Sequence, residues 1–215
     1  MAPRRVRSGR LSVTRSLCPI GLGGQYDRAV TPVFWASAAA WFALEAGLFF
    51  RDAAARVVDT GEDHGSGLIL ITAIGAAMVV AVQLSRRGGA PQFHGGAVFD
   101  AGIACIWAGV GLRAWAVLTL GRFFRLVVTV QEGHRVVRTG PYRVLRHPAY
   151  SGTMLSMIGL GLALDSWLGL AICVVVPLLG YVPRITVEEA ALRDRLGPDY
   201  VEYSRTTRRL VPFVW

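Results

Sequence analysis

Lysine is missing from these 215 residues, so all 23 basic side chains are arginine, a bias that reads as codon usage. Charge of any kind is scarce: 17% of the residues are charged and 53% are apolar. Soluble domains carry about 25% charged residues, so an ordinary soluble chain is excluded and a membrane protein is indicated. The cysteines are few and isolated, at Cys18, Cys105 and Cys173. They form neither a disulfide framework nor a CxxC pair and read as inert buried thiols. His64, His94, His134 and His147 have no HxxxH or HExxH spacing, so no metal is expected. Residues 1–31 lack a continuous apolar stretch before a cleavage site, and Ala2 stands where myristoylation needs glycine. They are expected to form a basic N-terminal extension or an interfacial segment.

What is present is a series of apolar runs: Pro32 to Phe50, Leu68 to Leu84, Val98 to Leu120, Ala149 to Leu164 and Trp167 to Pro183. At ~1.5 Å per helical residue most can cross a hydrocarbon core of ~30 Å. The last two are short and separated by Asp165 and Ser166 alone, which predicts a tight helical hairpin, tilted or partly packed inside protein. The fold predicted is an all-α integral membrane protein of about five transmembrane helices.

A net charge of +9 raises the possibility of nucleic acid, but the placement of the arginines argues against it. Six lie between the third and fourth runs and six in the C-terminal tail. The positive-inside rule therefore puts the C-terminal half in the cytoplasm. Within the runs, Glu45 and Arg113 are costly in hydrocarbon. They are expected to pair with one another or snorkel, or else to line a substrate pathway.

The segment LGRFFRLVVTVQEGHRVVRTGPYRVLRHPAYSG joins the third run to the hairpin. Its Gly and Pro punctuation predicts a structured loop. Pro148 restricts His147 to an extended conformation and suits the first turn of a helix. His147, Ala149 and Tyr150 then sit at a helix entrance, where free N–H groups and partial positive charge welcome a carboxylate. Beyond the hairpin comes RITVEEAALRDRLGPDYVEYSRTTRRLVPF, in which Arg184 and Glu188 are helical neighbours and Gly197 and Pro198 end the helix. A tight hairpin returns Tyr150 and Arg184 to one side of the bilayer, so the two polar segments meet. Read blandly, the arginines and tyrosines are interfacial anchors, and Glu188 and Glu189 are a solvated face.

The order HRVVRTGPYRVLRHPAY, short hairpin, EEAALRDRLGPDYVEY resembles the isoprenylcysteine carboxyl methyltransferase and phospholipid methyltransferase superfamily of integral membrane enzymes. The resemblance covers roughly Leu120 to Pro212. It implies S-adenosyl-L-methionine as methyl donor, cytoplasmic cofactor-binding segments, and a lipidic or prenylated acceptor reached among membrane lipids. It divides the chain into an extension (1–31), transmembrane helices (32–120) and a catalytic region (121–215). It assigns the cofactor to His134, Arg135, Val136, Val137, Tyr142, His147, Pro148, Ala149, Tyr150 and Glu188, and gives Arg184 the methyl acceptor. These roles suit the chemistry: Glu188 for the cofactor's ammonium, His147 and the entrance amides for its carboxylate, Val136, Val137 and Tyr142 around adenine.

Methyl transfer from a sulfonium is a displacement that needs positioning more than a metal or a covalent nucleophile. A carboxylate acceptor can be oriented by Arg184, whereas an amine needs a base that the sequence does not reveal. Isoprenylcysteine-type carboxyl methylation is therefore the leading expectation. Phospholipid amine N-methylation, a nicotinamide-dependent membrane reductase and a non-catalytic scaffold or transporter component are the alternatives.

Overall fold

The apolar runs become helices, and the glycines between them decide how closely those helices approach. A computed structural model describes residues 27–54, 65–87, 93, 96–127 and 133–211. Most of the N-terminal extension, with Cys18, His64 and His94, lies outside the described residues. The helices are α1 (Asp27–Ala54), α2 (Ser66–Arg87), α3 (Gly96–Leu120), α4 (Pro148–Ala163), α5 (Trp167–Leu196) and α6 (Pro198–Thr206). Single 3-10 turns occur at Gly121–Phe123 and Gly140–Arg143.

Among the described residues, four segments are long and apolar enough to span a bilayer: Pro32–Ala54, Ser66–Ser85, Gly96–Phe123 and Trp167–Leu196. Large side chains face outward on them, as Phe50 (68% exposed), Leu118 (80%) and Leu179 (69%) show. That pattern suits lipid as the solvent. The hairpin forms, but its arms are unequal. With 16 residues α4 reaches about 24 Å, short of the core thickness. It is instead wedged inside the protein, with Met157 and Leu160 buried. The second arm does not stop at Pro183: α5 runs 30 residues through Pro177 and Pro183 to Leu196. The apolar run ends there, but the Glu, Ala, Leu and Arg that follow are good helix formers, so the helix continues out of the apolar zone. Asp165, at φ 51°, turns the hairpin, and the Ser166 hydroxyl caps α5 by accepting from Gly169 N (3.1 Å).

The tightest packing is between α3 and α4, along Gly102 and Gly109 on one side and Gly152, Ser156, Gly159 and Ala163 on the other. A Cβ on Gly152 would stand 2.7 Å from Gly109 O and 2.8 Å from Arg113 N. A Cβ on Gly159 would stand 2.5 Å from Gly102 O. Small residues let the two backbones touch, the main source of helix association where lipid removes the hydrophobic drive. The consequence is local: Arg113 is brought against the first turn of α4 and donates to Ala149 O at 3.3 Å. On the other flank α2 packs along α5, while α1 rests on α3.

Candidate active site

Pro148 opens α4, and His147 just before it stands at φ −123° and ψ 56°, outside the helical region but short of the extended conformation that a following proline favours. Upstream, Gly140–Arg143 makes a 3-10 turn with Pro141 and Tyr142 buried. The Tyr203 hydroxyl on α6 fastens this turn by donating to Tyr142 O (2.8 Å) and Leu145 O (3.2 Å). The chain after α6 then returns alongside: Arg146 N donates to Arg208 O (2.6 Å), His147 N to Arg209 O (3.1 Å) and Arg208 N to Val144 O (3.0 Å). The segment before α4 is thus held in place by α6 and the chain that follows it.

At the α4 entrance His147 is buried, 4% exposed, between two carboxylates. Its Nδ1 lies 3.7 Å from Glu188 Oε1 and its Nε2 3.4 Å from Glu189 Oε1. Burial pulls the imidazole's pKa down, but the charges and hydrogen bonds of Glu188 and Glu189 outweigh it, and the pKa ends above the ordinary histidine value. His147 stacks on Tyr150 (5.5 Å, 13°), whose hydroxyl donates to Glu188 Oε2 at 2.7 Å. Arg184 Nε in turn donates to that hydroxyl at 3.1 Å. Arg184 and Glu188 are therefore coupled through Tyr150. The rest of the Arg184 guanidinium reaches Ser66 Oγ (3.1 Å) at the start of α2 and Leu126 O (2.6 Å) after α3. His134 stacks on Phe123 (4.6 Å, 11°), and burial lowers its pKa against the opposing pull of Glu188.

These groups line one cavity of about 570 Å³, a size suited to a cofactor or substrate. Its wall includes His134, Arg135, Val136, Val137, Tyr142, His147, Ala149, Tyr150, Arg184 and Glu188. Arg135 stands exposed at the rim. Pro148 is the exception among the expected site residues. It is fully buried and absent from the wall, because a ring that starts the helix packs into the protein. The cavity continues between α1 and α2, past Phe42, Phe49, Ile71 and Met78. It thereby joins a charged end to an apolar one that opens towards the lipid-facing helices.

Several features escaped the sequence. Glu45 and Arg113 do pair, with Arg113 Nη2 donating to Glu45 Oε2 at 2.7 Å, and both also line the cavity. Glu189 is no part of a solvated face: it is 1% exposed, with Arg146 (3.0 Å), Arg193 (2.8 Å) and Arg209 (3.0 Å) around it. Arg146 also lines the cavity. Asp52, at the end of α1, is buried; it accepts from Leu126 N (2.7 Å) and meets Arg51 (2.8 Å) and Arg125 (3.3 Å), which fixes the cavity wall after α3. Arg193, four residues after Glu189 on α5, has a helical spacing that could have signalled one of these pairs, whereas Arg146 and Arg209 carry no such signal. Among the described residues no group of three metal-ligating side chains comes together.

Residues 98–199 match the family described as phospholipid methyltransferase. Protein-S-isoprenylcysteine O-methyltransferase B of Arabidopsis thaliana is 34% identical over 115 residues, 53% of this chain and 58% of that protein. The protein-S-isoprenylcysteine O-methyltransferase of Saccharomyces cerevisiae is 34% identical over 104 residues, 47% of this chain and 44% of its own length. A cobalt-zinc-cadmium resistance protein of Cupriavidus metallidurans is 29% identical over 104 residues, covering 48% of each chain. The chain thus spans about half the length of the curated relatives it matches. In fold it is similar to the eukaryotic intramembrane Ras methyltransferase ICMT, with a TM-score of 0.61 at 20% identity over 86% of this chain and 68% of that one. With RHPAY before the hairpin and the adjacent glutamates after it, the stretch 98–199 is similar to the phospholipid methyltransferase family, and the all-helical fold is similar to that of the intramembrane Ras methyltransferase.

Proposed function

We propose that the protein is an S-adenosylmethionine-dependent membrane methyltransferase whose acceptor is a lipidic carboxylate of the isoprenylcysteine type, with the catalytic region facing the cytoplasm. One observation carries the reading: a single cavity joins the Glu188–His147–Tyr150–Arg184 cluster to an apolar gap between α1 and α2. A polar donor and a lipid-borne acceptor can meet in such a cavity. The isoprenylcysteine O-methyltransferase relatives support the chemistry, and the arginine-rich C-terminal half supports the orientation.

The residues fit the cofactor. Glu188, with its side chain 28% exposed, offers the ammonium an anionic partner. The α4 entrance, with the partial positive charge of a helix start, offers its carboxylate a positive one. Val136, Val137 and Tyr142 form an apolar wall for adenine. When bound, the cofactor supplies an electrophilic methyl group on a sulfonium. The protein's share is then to align the acceptor, exclude water and keep charges fixed during transfer. We assign alignment to Arg184, which three hydrogen bonds hold rigid beside Tyr150.

Glu45 favours phospholipid amine N-methylation as the second reading, since it puts a carboxylate into the cavity where an ammonium head group could rest. Incubating the protein with methyl-labelled S-adenosylmethionine and total membrane lipid separates the two. Label released by mild alkali identifies a carboxyl ester, and base-stable label in head groups identifies an amine. No transfer to any lipid or prenylated cysteine removes both.

A further inference from the structure

Glu189 follows Glu188 on α5, and a helix turns ~100° per residue, so the two carboxylates face different ways. Glu188 meets the cavity; Glu189 is no part of its wall and lies 1% exposed inside the protein. Its Oε1 receives Arg146 Nη1 (3.0 Å), Arg209 Nε (3.2 Å) and His147 Nε2 (3.4 Å). Its Oε2 receives Arg193 Nη2 (2.8 Å) and Arg209 Nη2 (3.0 Å). Arg209 therefore grips both oxygens, the geometry that gives guanidinium–carboxylate pairs their strength and direction. Arg209 belongs to the segment Thr207–Leu210, which crosses behind the α4 entrance. That segment is pinned at one end by its backbone bonds to Val144–His147. At the other, Ser151 Oγ donates to Leu210 O (2.6 Å), and Leu210 packs against Tyr181 and Ile185.

We propose that Glu189 and Arg209 are positioning residues of the active site: their ion pair latches Thr207–Leu210 across the back of His147 and controls how firmly His147 is held facing Glu188. Neither touches the cavity; both act through His147 and Arg146. The coupling follows from shared atoms, since the oxygen that accepts from Arg209 is the one beside His147. The charged and titratable groups around His147 are Glu188, Glu189, Arg184 and Arg193 on α5, and Tyr150 on α4. Arg146 precedes it in the chain, Arg209 lies on the strap and Tyr200 on α6. Among them Glu188 and Glu189 supply the stabilising negative charge. The inference rests on the methyltransferase reading above.

The test is the affinity of the full chain in detergent for S-adenosylhomocysteine, measured from about pH 6 to 8.5, where histidine protonation changes. Parent affinity falls as the pH rises through the His147 transition. Glu189→Gln removes a stabilising anion and moves that midpoint down by about one pH unit. Arg209→Gln leaves Glu189 less neutralised and moves it up by roughly half a unit. Arg209→Lys keeps the charge and leaves the midpoint in place. Shifts of opposite sign are what a merely structural role cannot produce, because lost packing weakens binding alike at every pH. If Glu189→Gln does not fold, the two Arg209 variants carry the test. Glu189→Gln and Arg209→Gln midpoints that stay with the parent, or a parent affinity flat with pH, overturn this inference alone. A parent that binds no S-adenosylhomocysteine overturns the methyltransferase reading with it.

Discussion

The two ends of the cavity are built by opposite means. At the α4 entrance several wall residues are held by a partner distant in sequence: Tyr142 by Tyr203, His147 by Glu189 and Tyr150 by Arg184. Between α1 and α2 the wall is apolar apart from Glu45, and those helices lean on α3 and α5 with many large side chains turned outward. The first region has geometry to lose; the second offers a surface that fluid chains can enter. Charge-assisted hydrogen bonds in a protein interior are directional and costly to leave unpaired, whereas contacts with lipid are interchangeable. Under the proposed function, the polar end is the one that fixes the methyl donor and the apolar end the one that admits the lipidic acceptor.

The comparison is broken most strongly where the polar end is set in place. Gly152→Ala drives a methyl group into Gly109 O and Arg113 N, and should cost about 3 kcal/mol of stability. Thermal unfolding in detergent checks it, and an unchanged melting temperature would show that α3 and α4 can separate freely. Next comes Arg184→Lys, which keeps charge but loses the planar fork. A displacement of about 1 Å can cost ~100-fold in rate, so single-turnover methyl transfer should slow by about that factor while cofactor affinity stays near the parent's. Equal loss of both would place Arg184 with the cofactor or the fold.

Glu188→Gln retains shape and removes charge, and calorimetry should find S-adenosylmethionine bound about 2 kcal/mol more weakly. Unaltered affinity in a folded variant removes Glu188 from the site. His147 sharpens the comparison through pH. Its folded pKa is raised above the unfolded value of about 6.5, so its stabilising contribution is fully present below that value. The contribution is lost as pH rises through the folded pKa. Denaturation midpoints should therefore decline over that window in the parent, and the decline should disappear in His147→Gln. The smallest effect belongs to the lipid face. Leu118→Val, at 80% exposure, should change stability by less than about 0.5 kcal/mol. A larger loss would mean that this face is covered by protein.

Much of the site could be read in advance because its signals are local. Pro148 starts α4; Arg184 and Glu188 share a face by helical periodicity; the hairpin returns Tyr150 to Arg184. Burial could not be read in the same way. His147, taken as a residue preceding the hairpin, is enclosed by α5 and the C-terminal strap. Glu189 is indistinguishable from a solvated glutamate until three arginines from separate segments converge on it. Pro183, where the apolar run stops, marks no helix end, since continuing the helix depends on the residues beyond it and on packing around the ring.

The sequence by itself determined that this chain is helical, lies in a membrane and carries a polar motif on either side of a tight hairpin. Composition, period and proline chemistry act over a few residues, and no distant contact can reverse them. The tertiary structure decided which polar groups face the cavity and which lie behind it, how Arg113 reaches Ala149, and that the charged end opens into a gap between α1 and α2. Those outcomes depend on how closely helices approach, which is set where Gly109 and Gly152 bring two backbones into contact. They depend equally on the burial of charge, whose cost is offset only after partners far apart in the chain have been brought together.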